Sequence, residues 1–175
     1  HCFDKSKFGY VNLLLSQSSG AKRHGDDRVM VRSRRDFLNA GYYSFLRDEV
    51  CAVCRELLPP DAVILDAGCG EGWYDRCIAQ AFAQAGRPVQ LAGFDIAKPA
   101  VRLAAKALPA AKYAVASSFA QPVRTGWADL LLNIFSPMAE AEFARMLRPG
   151  GHLVYAVPTA RHLFGLKEVL YERPY

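Results

Sequence analysis

A chain of 175 residues is long enough for one domain with a sizeable core, and half of its residues are hydrophobic, as in ordinary globular proteins. No apolar run approaches the roughly 20 residues of a membrane-spanning helix, and no signal peptide is visible, so no membrane partner is expected. Five cysteines, an odd number scattered along the chain, favour reduced thiols in a cytoplasmic protein over a disulfide framework.

The net charge of +5 is concentrated near the N-terminus. Between residues 22 and 35, six basic side chains stand against two acidic ones, which gives this segment a net charge of +4. Such clustering favours a phosphate-rich partner, although a solvated helix face would show the same charge pattern. The candidate phosphate contacts are Lys22, Arg23, Arg28, Arg32 and Arg35.

The first 60 residues predict an extension ahead of the main domain. Residues 8–15 indicate a short extended segment that packs on another part of the chain, and residues 16–27 are typical of a mobile loop. A helix is predicted over 28–40, with Arg28, Arg32 and Arg35 on one face because they are spaced by four and three residues. The opposite, apolar side of that helix is expected to be formed by Met30, Phe37 and Leu38.

A second helix is predicted over residues 44–58, with a buried stripe at every third or fourth position. It contains the pair Cys51 and Cys54. A redox or zinc role would require the pair at a helix N-terminus or in a zinc knuckle, so packing thiols are the favoured interpretation. The predicted stripe consists of Leu46, Val50, Val53 and Leu57.

The sequence pattern centres on a glycine-rich turn, residues 65–72 (LDAGCGEG). A β-branched run at 62–65 predicts a buried strand before the turn, and a helix is predicted from residue 74. Glycines at 68, 70 and 72 permit a sharp turn and a close approach of the backbone to a ligand. The next strand ends at Asp95, whose carboxylate is placed to accept hydrogen bonds from both hydroxyls of a ribose.

Strands and helices alternate from residue 62 onward, which predicts a mainly parallel, doubly wound α/β sheet of Rossmann-like type. The last strand is expected to lie at an unpaired sheet edge, as in a piece of a longer protein. The predicted strands span 62–65, 89–95, 113–116, 128–135 and 152–157, and the helices span 74–84, 99–108, 139–147 and 161–171.

The turn, with Asp66 before its glycines and Asp95 after the next strand, resembles the first motifs of class I S-adenosylmethionine-dependent methyltransferases. The chain further resembles the bacterial 23S ribosomal RNA guanine-N1 methyltransferases over nearly its whole length. The segments that carry this second resemblance are 8–14 (FGYVNLL), 25–26 (GD), 34–43 (RRDFLNAGYY), 69–74 (CGEGWY), 115–118 (VASS), 134–137 (IFSP) and 158–163 (PTARHL).

The resemblance to that family implies a division of the chain into three parts. Residues 1–15 would be the tail of an N-terminal zinc module, residues 16–60 a basic loop and helical extension, and residues 61–175 a methyltransferase core without its C-terminal strands. His1 matches the fourth zinc ligand of the module. The three cysteine ligands would lie upstream, so zinc is expected in the full-length protein and not in this chain alone.

The resemblance also implies a cofactor, a substrate and their contacts. It implies S-adenosylmethionine contacts at Tyr43, Gly72, Trp73 and His162, in addition to Gly68, Gly70 and Asp95. We expect Asp66 and Glu71 near the methionine end or its loop, Ser117 and Ser118 at the adenine edge, and residues 133–138 as the floor where the methyl group meets its acceptor. The acceptor would be N1 of a guanine in a loop of 23S rRNA, or of a flipped guanine.

Guanine N1 carries a proton that a base must remove. Asp26 and Asp27 are the candidates, and the alternative is that both carboxylates balance neighbouring arginines. A class I enzyme acting on a small molecule would share the core motifs, and a non-catalytic adenosyl-binding module that docks on ribosomal RNA would share the glycine turn and the basic helix. The glycine spacing argues against a nicotinamide oxidoreductase. A homodimer is compatible with the sequence.

Overall fold

The structure, a computed structural model, describes residue 3 and residues 5–14, 25–119, 121 and 123–173. The strands are β1 (Val11–Asn12), β2 (Val63–Ala67), β3 (Gln90–Asp95), β4 (Lys112–Val115), β5 (Ala128–Ile134) and β6 (Leu147–Ala156). The helices are α1 (Arg28–Asn39), α2 (Ser44–Leu57), α3 (Trp73–Gln84), α4 (Lys98–Ala107), α5 (Glu140–Met146) and α6 (Phe164–Leu170). None of these helices has the length and hydropathy needed to cross a membrane.

The strands form one sheet in the order β1-β4-β3-β2-β5-β6, and each neighbouring pair is parallel. From β2 the chain winds outward through β3 and β4, then returns to the other side of β2 as β5. The strand order therefore reverses at β2 and β5, and the loops after these two strands open a crevice at the carboxyl edge of the sheet. The predicted doubly wound parallel fold is confirmed.

The core lies on both faces of the sheet because side chains alternate along each strand. Ile64 of β2 and Leu130 of β5 are completely buried against α2 and α3. Their neighbours Leu65 and Leu131 point to the other face, where they pack with Phe143 of α5. Burial on both faces explains why three leucines, Leu130, Leu131 and Leu132, follow one another in β5 without alternating with polar residues.

The extended segment predicted near the N-terminus is a strand of the main sheet. Val11 and Asn12 pair with Ala114 and Val115 of β4, and Tyr10 is buried in the cluster that α4 forms with β4. Residues 10–12 thus pack with the expected methyltransferase core rather than beside it. Assignment of residues 1–15 to a zinc module stays a prediction.

The prediction of the apolar side by which the first helix packs is wrong in detail. Val31 is the buried residue of α1, where it packs on Ala97 and Ala100, whereas Met30 and Phe37 are exposed. The helix contacts the protein mainly through α4, so the face it buries is set by that neighbour rather than by its own most hydrophobic side.

In the second helix the buried stripe is displaced by about one position from the prediction. Val50, Cys51, Cys54 and Leu58 are buried, and Leu57 is partly exposed. Burial raises the pKa of the Cys51 thiol to about 11 and that of Cys54 to about 12. Both thiols therefore stay protonated, in agreement with their interpretation as packing residues.

Strand β6 lies at one edge of the described sheet, as expected. It begins five residues earlier than predicted, because Leu147 pairs with Ala128 before an irregularity in the register. Arg148, in this irregular stretch, forms an ion pair of 2.6 Å with Asp129, whose other carboxylate oxygen accepts a hydrogen bond from the Val63 N–H. These contacts fasten the N-terminal ends of β2, β5 and β6 to one another.

Candidate functional site

A cavity of about 480 Å³ opens at the crevice, within the range of small-molecule sites. Its walls come from the glycine turn after β2, the end of β3, the loops after β4 and β5, and helix α1. The lining residues are Gly25, Asp26, Val31, Arg34, Arg35, Phe37, Leu38, Tyr43, Asp66, Gly68, Cys69, Gly70, Glu71, Trp73, Tyr74, Asp95, Ile96, Ala100, Ala116, Ser117, Ser118, Phe119, Ile134, Phe135, Ser136 and Pro137.

The three glycines of the turn have positive φ angles of 86°, 54° and 70°, a region that favours glycine. They differ in what a side chain would meet. A Cβ on Gly68 would lie 2.2 Å from the Ser136 Oγ, and a Cβ on Gly72 would lie 2.9 Å from the Tyr113 hydroxyl. Among the residues that the structure describes, a Cβ on Gly70 would meet no atom within 4 Å. Gly68 and Gly72 thus permit close packing within the protein, while Gly70 leaves open space beside the cavity.

Asp95 holds the turn in place from the end of β3. Its Oδ2 accepts a hydrogen bond of 3.0 Å from the Gly70 N–H, and its Oδ1 accepts one of 2.7 Å from the Ala97 N–H. Burial raises the pKa of Asp95 above its ordinary value, and these two backbone donors oppose the rise. Each carboxylate oxygen retains a lone pair for a further donor, such as a ribose hydroxyl.

A second carboxyl group lies below the turn and was not predicted as part of the site. Asp75 of α3 is fully buried and accepts a 2.8 Å hydrogen bond from the Tyr113 hydroxyl. Burial raises its pKa to about 6. The pKa of Asp66 is raised well above its ordinary value, first by burial and then by the charge of Asp75. Burial therefore favours the neutral form of Asp66, whose carboxyl group lines the cavity.

Glu71 connects the turn to two arginines. Its carboxylate is buried and lies 3.4 Å from the Arg35 Nε of α1 and 3.2 Å from an Arg76 Nη of α3. The Arg76 guanidinium also donates to the Glu71 backbone carbonyl at 3.1 Å. The ion pair with Arg35 holds α1 against the turn, so this helix covers part of the cavity.

The two acids considered as bases occupy different places. Asp26 lines the cavity and forms an ion pair with Arg34. Asp27 caps α1, where its Oδ1 accepts hydrogen bonds of 2.9 Å from the backbone N–H groups of Val29 and Met30. Asp27 is not part of the cavity lining because helix capping fixes its carboxylate there.

The loop after β5 was expected to form the floor of the site, and residues 134–137 line the cavity. Asn133, at the end of the buried strand, donates a 3.1 Å hydrogen bond from Nδ2 to the Pro137 carbonyl. Phe135 has a φ of 52°, which is rare and strained for a bulky side chain. The loop is thus held in one conformation by a buried amide.

Of the ten residues predicted to contact the cofactor, eight line this cavity: Tyr43, Asp66, Gly68, Gly70, Trp73, Asp95, Ser117 and Ser118. The other two do not. Gly72 packs against Tyr113 and α4, which leaves it behind the turn. His162 does not line the cavity but contacts the lining residue Tyr43, with its Nε2 3.4 Å from the Tyr43 hydroxyl.

Among the candidate phosphate contacts, Arg28 and Arg32 are exposed on α1. Arg35 is half-exposed and also lines the cavity, so it does not belong to the solvent face alone. His1, Lys22 and Arg23 lie outside the described residues. Those residues that the structure does describe contain no group of three or more His, Cys, Asp or Glu side chains able to hold a metal ion.

The sequence interpretation missed several lining residues. Val31, Arg34 and Leu38 reach the cavity because α1 crosses above it, and no local pattern indicates that crossing. Ile96 could have been found, since it directly follows Asp95 at the end of a strand that borders the site.

Comparison with known proteins agrees with this geometry. A family profile described as "Methyltransferase domain" matches residues 64–151, half of the chain. A 23S rRNA (guanine(748)-N(1))-methyltransferase of Streptomyces fradiae is 36% identical over 97% of this chain and 59% of its own length. A protein of Micromonospora griseorubida, provisionally named a 23S rRNA (guanine-N(1)-)-methyltransferase, is 36% identical over 97% of this chain and 60% of its own. The chain thus spans about 60% of the length of these relatives.

A solved structure from Methanococcus maripaludis, described provisionally as an S-adenosyl-L-methionine-dependent methyltransferase, superposes with a TM-score of 0.62. It is 15% identical, and the match covers 78% of this chain and 68% of that one. At that identity the likeness concerns the fold, which is the doubly wound sheet derived above. Together with the domain match over residues 64–151, these findings show that the chain belongs to the methyltransferase domain family and has the fold of S-adenosylmethionine-dependent methyltransferases.

Proposed function

We propose that the protein containing this chain transfers a methyl group from S-adenosylmethionine to N1 of a guanine in 23S ribosomal RNA. One observation carries the proposal: the likeness to the two relatives runs over 97% of the chain, well beyond the matched domain at 64–151. It therefore includes α1 and α2, which a shared cofactor domain alone would not explain.

The lining of the cavity fits the proposed donor. Open space beside Gly70 permits a nucleoside to approach the turn, and Asp95 can accept hydrogen bonds from ribose hydroxyls. Ser117 and Ser118 would face the adenine edge, and Tyr43 and Trp73 would contact the rest of the donor. Asp66 would contact the donor through hydrogen bonds of its carboxyl group.

The donor, when bound, supplies a methyl group on a sulfonium. The residues of this chain would bind it, orient it and exclude water from the transfer. Helix α1 contributes to the exclusion of water because Val31, Leu38 and Arg35 cover the cavity from one side. Residues 134–137 would position the acceptor base.

Removal of the guanine N1 proton requires a base. Of the two candidates Asp26 is the better placed, because it lines the cavity while Asp27 is engaged as a helix cap. The ion pair of Asp26 with Arg34 would have to open or shift when RNA binds.

Arg28 and Arg32 would contact RNA phosphates beside the site, together with Lys22 and Arg23. A guanine inside a stem must leave its base pair before N1 can react, so we propose a loop or flipped guanine as the target. Residues 1–15 as the tail of a zinc module, with His1 as its fourth ligand, rest on the resemblance alone. Metal analysis of the intact protein tests that module, and light scattering tests a homodimer.

The test is incubation of the intact protein with radiolabelled S-adenosylmethionine and unmodified 23S rRNA, followed by mapping of the modified base. Label at guanine N1 supports the proposal. Label on a small molecule without RNA supports the small-molecule alternative. Binding of both donor and RNA without any transfer supports the non-catalytic module. The last two outcomes would overturn the proposed reaction.

A further inference from the structure

Five aromatic side chains are gathered at one side of the cavity mouth, where α1, α2 and the loop after β5 meet. We call this set the aromatic rim; it consists of Phe37, Tyr42, Tyr43, Phe45 and Phe135. Phe45 and Tyr42 are 72% and 66% exposed, and Phe135 and Phe37 are 45% and 43% exposed. Large rings with this exposure, grouped in one patch, indicate a surface that binds something.

The rings contact one another. Phe37 and Tyr42 stack at a centroid distance of 4.9 Å with an interplanar angle of 26°. Tyr43 lies in the centre, 5.4 Å from Phe37, 5.9 Å from Phe45 and 5.8 Å from Phe135. The rim is thus a connected group of rings whose outer members are open to solvent.

Two observations connect the rim to the cavity. Phe37, Tyr43 and Phe135 also line the cavity, so the exposed patch is continuous with its interior. Phe135 keeps its strained positive φ while its backbone N–H donates to the Ala156 carbonyl at 2.9 Å. Strain of this kind is found where a side chain must be held in a particular direction.

The charge beside the rim identifies the kind of partner. Helix α1, which carries Phe37, also carries four arginines against a single acid within the helix, Asp36. Exposed rings next to a row of guanidinium groups are what single-stranded nucleic acid requires, because bases stack on rings and phosphates pair with arginines. The four arginines are Arg28, Arg32, Arg34 and Arg35. Arg34 and Arg35 form ion pairs with Asp26 and Glu71, so the phosphate contacts are assigned to the exposed Arg28 and Arg32.

We propose that the aromatic rim stacks unpaired nucleobases of an RNA on the approach to the cavity, with Tyr42 and Phe45 as the outer contacts. The inference rests on the proposed function for the identity of the RNA, but the stacking itself requires only an unpaired strand. It assigns a role to residues 42 and 45, which lie outside the cavity lining.

The test measures the affinity of the intact protein for a single-stranded oligoribonucleotide by fluorescence anisotropy at several salt concentrations. Replacing Tyr42→Ala or Phe45→Ala should weaken binding about 5- to 150-fold, the range for loss of one stacked base. The dependence of the affinity on salt should keep its slope, since no phosphate contact is removed. Phe45→Trp should bind like the wild type, because the ring is retained.

Val169→Ala is the matched control, since Val169 is an apolar side chain on α6 that is 82% exposed. It should leave RNA affinity unchanged. The proposal is overturned if Tyr42→Ala and Phe45→Ala bind within about twofold of the wild type. A lower melting temperature together with unchanged RNA binding overturns it equally, since the rings would then serve packing within the protein rather than RNA binding.

The outcomes for the rim and for the proposed function are separable. If the protein methylates rRNA but its rim variants bind RNA normally, the proposal for the aromatic rim fails and the proposed function stands. If the rim variants lose RNA affinity but the protein methylates no RNA, the proposed function fails and the proposal for the aromatic rim stands.

Discussion

The replacement Gly70→Ala tests whether the glycine turn holds the methyl donor. Gly70 lines the cavity with a φ of 54°, and a Cβ there would meet no atom of the described part of the chain within 4 Å. In the protein alone the added methyl group costs only the left-handed conformation, about 1–2 kcal/mol. For a chain of this size we expect a melting temperature about 2–8 °C lower.

The added methyl group should also weaken binding of the donor. If the nucleoside lies against the turn, the methyl group occupies space that the ligand needs, and overpacking of that sort costs about 1–3 kcal/mol. The expected loss of S-adenosylmethionine affinity is about 5- to 150-fold, measured by titration calorimetry.

Gly86→Ala is the matched control. Gly86 follows α3, has a φ of 66°, and likewise has no atom within 4 Å of an added Cβ, but it does not line the cavity. It should show the same loss of stability with normal donor affinity. Equal donor affinity in Gly70→Ala and Gly86→Ala would refute the assignment of the turn to the donor.

The site's carboxyl groups and the basic helix can each be tested by substitution. Asp95→Asn should weaken donor binding by about 1.5–3 kcal/mol, the value of hydrogen bonds to a charged group, as measured by calorimetry; unchanged affinity would exclude Asp95 from ribose binding. Burial raises the pKa of Asp75 from 3.8 to about 6. Its folded form therefore binds a proton more tightly than the unfolded chain does, and its contribution to stability should fall as pH rises from about 4 through 6. Asp75→Asn should flatten that decline in denaturant titrations, and an identical pH profile would contradict the raised pKa. Arg28→Ala combined with Arg32→Ala should weaken binding of a single-stranded RNA and reduce the salt slope by about 1.4, with normal donor affinity. A slope equal to that of the wild type would show that these two arginines do not contact phosphates.

Local patterns were sufficient for most of the fold. The helices predicted over 28–40 and 44–58 are observed as Arg28–Asn39 and Ser44–Leu57. The β-branched run before the glycine turn is β2, and the strand that ends at Asp95 is β3. These elements were predictable because hydrophobic periodicity, glycines and prolines act within a few residues of one another.

The faces that the helices bury were less predictable. The apolar side expected for α1 was Met30, Phe37 and Leu38, but Val31 is the residue that packs on α4, and Leu38 lines the cavity. A helix with apolar residues on more than one side can be oriented only by its neighbour. The exposure of Phe37 in the aromatic rim has the same origin.

The turn itself is predictable from the order of the residues alone: glycines permit its positive φ angles, and a carboxylate stands at the end of the following strand. The surroundings of the turn depend on the folded chain. Folding buries Asp66 and Asp75, and burial raises the pKa of both carboxyl groups. Folding also places α1 over the cavity through the ion pair of Arg35 with Glu71. Burial and ion pairing depend on residues far apart in the chain, whereas a glycine's freedom and a strand's end are properties of neighbouring residues.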